Sequence, residues 1–192
     1  MSKAWPVHNI NPDDSLEANA RRILRVRVGE VYSYEPVVDD SIAIEPLHNL
    51  RISTKRLRYT LELFRTVFGE NGEQNIDRVK SIQEALGNLH DADVRIALIQ
   101  EELITLAAEQ VAEIGRTMLT ATPSSHRAIT TAALRPPPDD PRRGLLTLLG
   151  KQYTSRQEHF RSFNALWHQF DDEGMRDDLV ALSGAYQREP VS

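Results

Sequence analysis

Residues 46–61 read Pro46-Leu47-His48-Asn49-Leu50-Arg51-Ile52-Ser53-Thr54-Lys55-Arg56-Leu57-Arg58-Tyr59-Thr60-Leu61. Pro46 suits the first turn of a helix, where its missing N–H has no intrahelical partner to lose. At about 100° per residue, Leu50, Leu57, Leu61, Phe64 and Phe68 fall within roughly 160–220° of His48, a narrow apolar face for a core. His48, Arg51, Lys55, Arg58 and Tyr59 fall between roughly 280° and 20°, a single stripe about three turns long. Arg56 points roughly 80° away, at the stripe's rim. The helix is expected to run to about Phe68, with Gly69 in the left-handed conformation that ends it.

Residues 47–58 hold Arg51, Lys55, Arg56, Arg58 and His48 and no carboxylate. Like charges at i,i+3 and i,i+4 repel by a few tenths of a kcal/mol per pair, so a helix built only for stability would alternate signs. A row of cations stacked over about 15 Å matches a row of phosphates. Arginine grips phosphate oxygens bidentately and lysine serves as a mobile point charge. A histidine among them gains charge beside phosphate, so binding should strengthen as pH falls. The competing reading is a solvated basic face.

Outward from this helix the pattern stays helical. Ser15 can cap a first helix in which Leu16, Ala20, Ile23, Leu24, Val28 and Val31 recur at helical spacing, fading near Tyr34. A third helix is expected over about 75–87, where Gly87 interrupts, and a fourth from Asp91, an N-cap candidate, to about Met118. Residues 120–141 are linker-like, Thr/Ser-rich and then Pro136-Pro137-Pro138-Asp139-Asp140-Pro141. A fifth helix follows over about 142–170 and a short sixth over about 173–186. These elements predict an all-α fold. It is one domain over 1–192 with its core in 13–186, an antiparallel four-helix bundle core plus C-terminal helices.

Composition narrows the function classes. The 192 residues carry a formal charge of −5 and no cysteine, which excludes disulfides, thiolate catalysis and Cys-based metal sites. The acids gather away from the stripe, notably at Asp171, Asp172, Glu173, Asp177 and Asp178. A basic patch on an acidic body predicts a local anion site rather than general affinity for nucleic acid. No apolar run approaches the roughly 20 residues that span a bilayer, and no signal-peptide segment follows Met1. A cytoplasmic protein without membrane contact is expected.

The stretch Leu47 to Tyr59 resembles the signature helix of CHAD domains, the conserved histidine α-helical domain family. About thirty residues on, Leu86-Gly87-Asn88-Leu89-His90-Asp91-Ala92-Asp93-Val94 resembles that family's second motif. The helix from Ser15 to Val31 fits its opening, and Arg143 through Arg156 is similar to a later helix, more loosely. The resemblance covers about 13–170. It implies helical bundles lined with basic residues that bind inorganic polyphosphate without chemistry and without a cofactor. Polyphosphate granules are then a further expected location. Carried over, His48, Arg51, Lys55 and Arg58 would face the ligand, Arg56 would be a fifth contact, and Lys80 and Arg156 would join from neighbouring helices. Family members usually carry two such bundles, whereas this chain shows one signature helix, which implies either a half-sized form that makes a homodimer or one with a weaker site. His90 stands where the family has an arginine.

Other constellations compete with this reading. His90, Asp91 and Asp93 could be metal ligands, but Asp91 and Asp93 diverge by about 200° on one helix, so capping or dipole roles fit better and no metal site is assigned. His48 with Arg51 also resembles a histidine phosphotransfer domain, in which an exposed helix histidine accepts a phosphoryl group; that is the alternative function. No phosphate loop, nucleophile elbow or HExxH motif is present to support an enzyme. Glu62 and Glu84 could hold Mg²⁺ against phosphate, although a helical Glu is ordinarily solvated. Nucleic acid is disfavoured, because Tyr59, the one aromatic beside the stripe, is expected to be packed at its core-side end.

Overall fold

The computed structural model describes residues 3–134 and 140–184. It is all-helical, with no strand among the described residues. The helices are α1 (Leu16–Tyr32), α2 (Ile44–Leu63), α3 (Arg65–Thr120), α4 (His126–Ala133), α5 (Pro141–Asp172) and α6 (Met175–Leu182). The chain divides into two compact units, residues 1–90 with 157–192, and residues 91–156.

The first unit is a helical bundle with an aliphatic core. Ser15 caps α1, its side chain accepting from the Ala18 N–H. Ala20, Leu24, Val28 and Val31 of α1 are buried with Leu50, Leu57 and Leu61 of α2. Ile76, Val79, Ile82, Leu86 and Leu89 of α3 close the same core, as do Phe163 and Trp167 of α5 and Met175 and Leu179 of α6. Arg21 and Arg25 of α1 donate to the carbonyls of Leu182 and Ser183, satisfying orphan acceptors at the end of α6.

Several helix boundaries differ from expectation, each for a local reason. α2 stops at Leu63, five residues early, and one further turn brings the chain to Gly69. Gly69 does adopt a left-handed φ of 58°, and with ψ at −149° it breaks the helical path near the start of α3. Beyond it α3 continues unbroken through Gly87 and Asp91, so neither an interruption nor an N-cap exists there. A mid-helix glycine costs about 1 kcal/mol relative to alanine. Fully burying aliphatic side chains such as Leu86 and Leu89, on either side of it, gains about 1.5–3 kcal/mol each.

The second unit is an antiparallel pairing of the later part of α3 with the first part of α5. Asp93 pairs with Arg156, Gln100 Nε2 donates to Tyr153 Oη at 3.2 Å, and Arg142 reaches Gln110. The Thr/Ser-rich segment expected as linker folds instead into a 3₁₀ turn at Pro123–Ser125 and α4. Pro123 there sits where helical turns tolerate proline. Residues 135–139, with the triple proline, lie outside the described residues, as do residues 185 and 186 of the expected sixth helix. Asp140 begins α5 by accepting from the Arg142 backbone N–H at 2.9 Å.

Candidate functional site

The sequence of α2 divides its surface three ways. Leu47, Leu50, Leu57 and Leu61 are buried. Ser53, Thr54 and Thr60 are buried too, and each hydroxyl donates to the carbonyl four residues back, so no polar group is stranded. Between the core and the open surface lie His48, Arg51 and Arg58, all half-buried, with Lys55 exposed beside them. The basic stripe is therefore half-covered along the edge of α2 and is not a fully open face.

The helix that meets this edge is α3. His48 Nδ1 lies 3.2 Å from His90 Nδ1, with the rings 4.4 Å apart. A Cβ at Gly87 would sit 3.9 Å from Arg51 Nε, in ordinary van der Waals contact, so the Arg51 guanidinium lies beside this turn of α3. Residue 48 opposite 90 and 51 opposite 87 define an antiparallel register. Continued at the helical rise of about 1.5 Å per residue, that register puts Gln83 beside Lys55 and Lys80 beside Arg58. Lys80 is exposed and has no ion-pair partner among the described residues.

Hydrogen-bonding capacity along this edge is unspent. The Nε atoms of Arg51 and Arg58 and Oε1 of Gln83 are shielded from solvent, and none has a hydrogen-bond partner. Arg58 is only 19% exposed, and its Nε lies 3.6 Å from the Glu62 carboxylate, beyond hydrogen-bond reach. Arg51 has no ion-pair partner among the described residues. Tyr59 is not packed inside but 49% exposed, with the Arg58 guanidinium 4.9 Å and the Lys55 ammonium 5.6 Å from its ring centre. That contact orders the two cations without neutralising either.

Two residues expected at the ligand are engaged elsewhere. Arg56 turns toward α1 and pairs with Glu30, a carboxylate with no exposed surface that Arg27 also holds. Arg156 is buried in the second unit against Asp93. Sequence reasoning missed Glu30 and Gln83. The signal for Glu30 was available, because a lone acid on the Val28/Val31 side of α1 needs a cation. Asp91 and Glu84 are exposed on α3. No group of three or more His, Asp or Glu side chains among the described residues could hold a metal ion.

Burial holds the His48 imidazole below the ordinary histidine value of 6.5, and the neighbouring His90 and Arg51 add to the effect while Glu45 opposes it. The neutral ring is thus favoured in the free protein. Its stabilising contribution is full above the unfolded value and is lost as pH falls through the lower folded value. A bound anion would reverse the preference, and binding would then take up a proton. Anion affinity should rise as pH drops from 7.5 through and below 6.5, and His48→Gln should flatten that rise, as titration calorimetry between about pH 5 and 8 would show. Equal slopes in both proteins would remove His48 from the site.

A family model described as the CHAD domain matches residues 3–100, slightly more than half of the chain, including the whole stripe and the part of α3 that meets it. The chain belongs to the CHAD domain family. No curated protein and no solved structure matches it. The CHAD domain is related to polyphosphate binding and is generally a binding domain rather than a catalyst. Within this CHAD protein His90, whose ring packs on His48, lies inside the matched residues.

Proposed function

We propose that the edge where α2 meets α3 binds inorganic polyphosphate, or a similar linear polyanion, without catalysing a reaction on it. The observation that carries this reading is the pair of solvent-shielded guanidinium Nε groups, on Arg51 and Arg58, that have no hydrogen-bond partner. Leaving a buried donor unsatisfied costs about 1–3 kcal/mol, so two on one edge imply an acceptor that arrives from outside. Phosphate oxygens fit: they are anionic, they repeat along a chain, and they accept bidentately from arginine. His48, Arg51, Lys55 and Arg58 would contact the chain from α2 and Lys80 from α3. Arg56 would add whatever donors Glu30 leaves it. Arg156 is the weakest of the contacts expected from sequence, since Asp93 already accepts from it.

Affinity should fall steeply with salt, because each neutralised phosphate releases condensed counterions. With Arg51, Lys55, Arg58 and Lys80 engaged, log K against log salt should have a slope of about −3, taking roughly −0.7 per contact as for single strands. Fluorescence anisotropy with labelled long-chain polyphosphate, with single-stranded DNA as competitor, measures this directly. A slope near zero would overturn the reading, and equal affinity for DNA would overturn polyphosphate as the preferred polyanion. His48 phosphotransfer would then be tested with a phosphoryl donor.

A further inference from the structure

At its C-terminal end the basic row of α2 changes character within one turn. His48, Arg51, Lys55 and Arg58 are followed on the same side by Tyr59 and then by Glu62, the first carboxylate of α2 after Glu45. Tyr59, expected from the sequence to be packed, is 49% exposed. Leu63, four residues on and so one turn further along, is 75% exposed. Either side chain alone is ordinary surface. Next to each other at the end of a row of cations, they form an apolar step beside an anion track.

Charge limits what can occupy this step. A phosphate chain continuing past Arg58 would meet the Glu62 carboxylate, 40% exposed and 3.6 Å from Arg58 Nε. Like charges oppose a further phosphate there. An ionised carboxylate only accepts hydrogen bonds, so beside Tyr59 it favours a hydroxyl or an amine. The occupant that suits both ends is anionic over Lys55 and Arg58 and carries a flat ring with polar donors over Tyr59 and Glu62. At about 1.5 Å per residue, Lys55 lies about 6 Å and Arg51 about 12 Å along the axis from Tyr59, a span that suits a short phosphate chain on one nucleoside.

We propose that the C-terminal end of this row binds a nucleoside polyphosphate, with its base stacked on Tyr59, its ribose hydroxyls toward Glu62 and its phosphates on Lys55, Arg58 and Arg51. Such binding rests on the anion-site reading of the row and adds the nucleoside to it. Lys55 and Arg58 lie against the ring, 5.6 Å and 4.9 Å from its centre. A base stack is worth more than an exposed ammonium–ring contact, so a base displaces the mobile Lys55 and frees its ammonium for a phosphate. Tyr59 is the single Phe, Tyr or Trp of α2, enough for one base. Proteins that follow single-stranded nucleic acid stack successive bases on several aromatics.

Titration calorimetry of the full chain tests this with ATP and inorganic tripolyphosphate, which has the same number of phosphates and no nucleoside, both with a chelator present. ATP should bind about tenfold more tightly. Tyr59→Ala should lower ATP affinity about tenfold but tripolyphosphate affinity by less than about threefold, the cost of losing the ordered Lys55 and Arg58. Tyr59→Trp should keep the preference for ATP, and Glu62→Gln should narrow it by strengthening tripolyphosphate. ATP no tighter than tripolyphosphate, or Tyr59→Ala lowering both alike, would overturn the proposal. So would an oligodeoxyadenylate that binds through Tyr59 more tightly than ATP, because single-stranded nucleic acid would then be the ligand. If tripolyphosphate and long-chain polyphosphate bind and ATP gains nothing, only the nucleoside is lost. If none of the three binds, the anion site falls with it.

Discussion

Arg51→Glu and Arg58→Glu should each weaken polyphosphate binding by about a hundredfold or more while leaving the helical circular dichroism signal intact. Each substitution removes a charge-assisted hydrogen bond of about 1.5–3 kcal/mol and sets a carboxylate against the phosphates at a partly shielded edge. Together these exceed the roughly 2.7 kcal/mol that a hundredfold loss requires. The fold should tolerate both changes. Arg51 holds no ion pair among the described residues, and the Arg58–Glu62 approach at 3.6 Å is an i,i+4 pair worth only a few tenths of a kcal/mol. Lys80→Glu should weaken binding less, because an exposed lysine acts as a screened point charge. Near-wild-type affinity in either arginine variant would dismiss the site.

Glu30→Ala should be the most destabilising single change in the first unit. Glu30 has no exposed surface, and the cations that hold it, Arg27 and Arg56, are 12% and 25% exposed. Removing one member of a buried ion pair costs about 3–5 kcal/mol, because the remaining charges lose their counter-ion and keep their desolvation. For a chain of this length each kcal/mol lowers Tm by about 2–4 °C, so a fall of about 10 °C is expected in a thermal melt. Replacing Arg27, Glu30 and Arg56 together by apolar residues of similar volume should recover most of the loss. A Glu30→Ala melt within about 2 °C of wild type would show that the triad contributes little. The same experiment bears on Arg56. If Arg56 mainly holds Glu30, Arg56→Gln should lower Tm more than it lowers polyphosphate affinity.

The α-helical architecture was readable from periodicity because the apolar positions of α1 and α2 recur at helical spacing and are, with few exceptions, the ones that become buried. The Ser15 cap and the left-handed Gly69 were readable for the same reason: each is a local preference of one residue type. Gly87 and Asp91 misled because local preference there is worth about 1 kcal/mol and is outweighed by core packing on either side. Tyr59 misled because its angle on α2 does not reveal where the neighbouring helix stops covering it.

By itself, the sequence determined the helices, their apolar faces and the row of His48, Arg51, Lys55 and Arg58 on one side of α2. These depend on interactions within a few residues, which the helical repeat sets. Only the tertiary structure decided what that row faces. It set His48 against His90 and Arg51 beside Gly87, turned Arg56 away to Glu30, and placed Arg156 with Asp93. Those pairings join residues 26 to 63 apart, so they follow from helix register, which is fixed by the whole core at once.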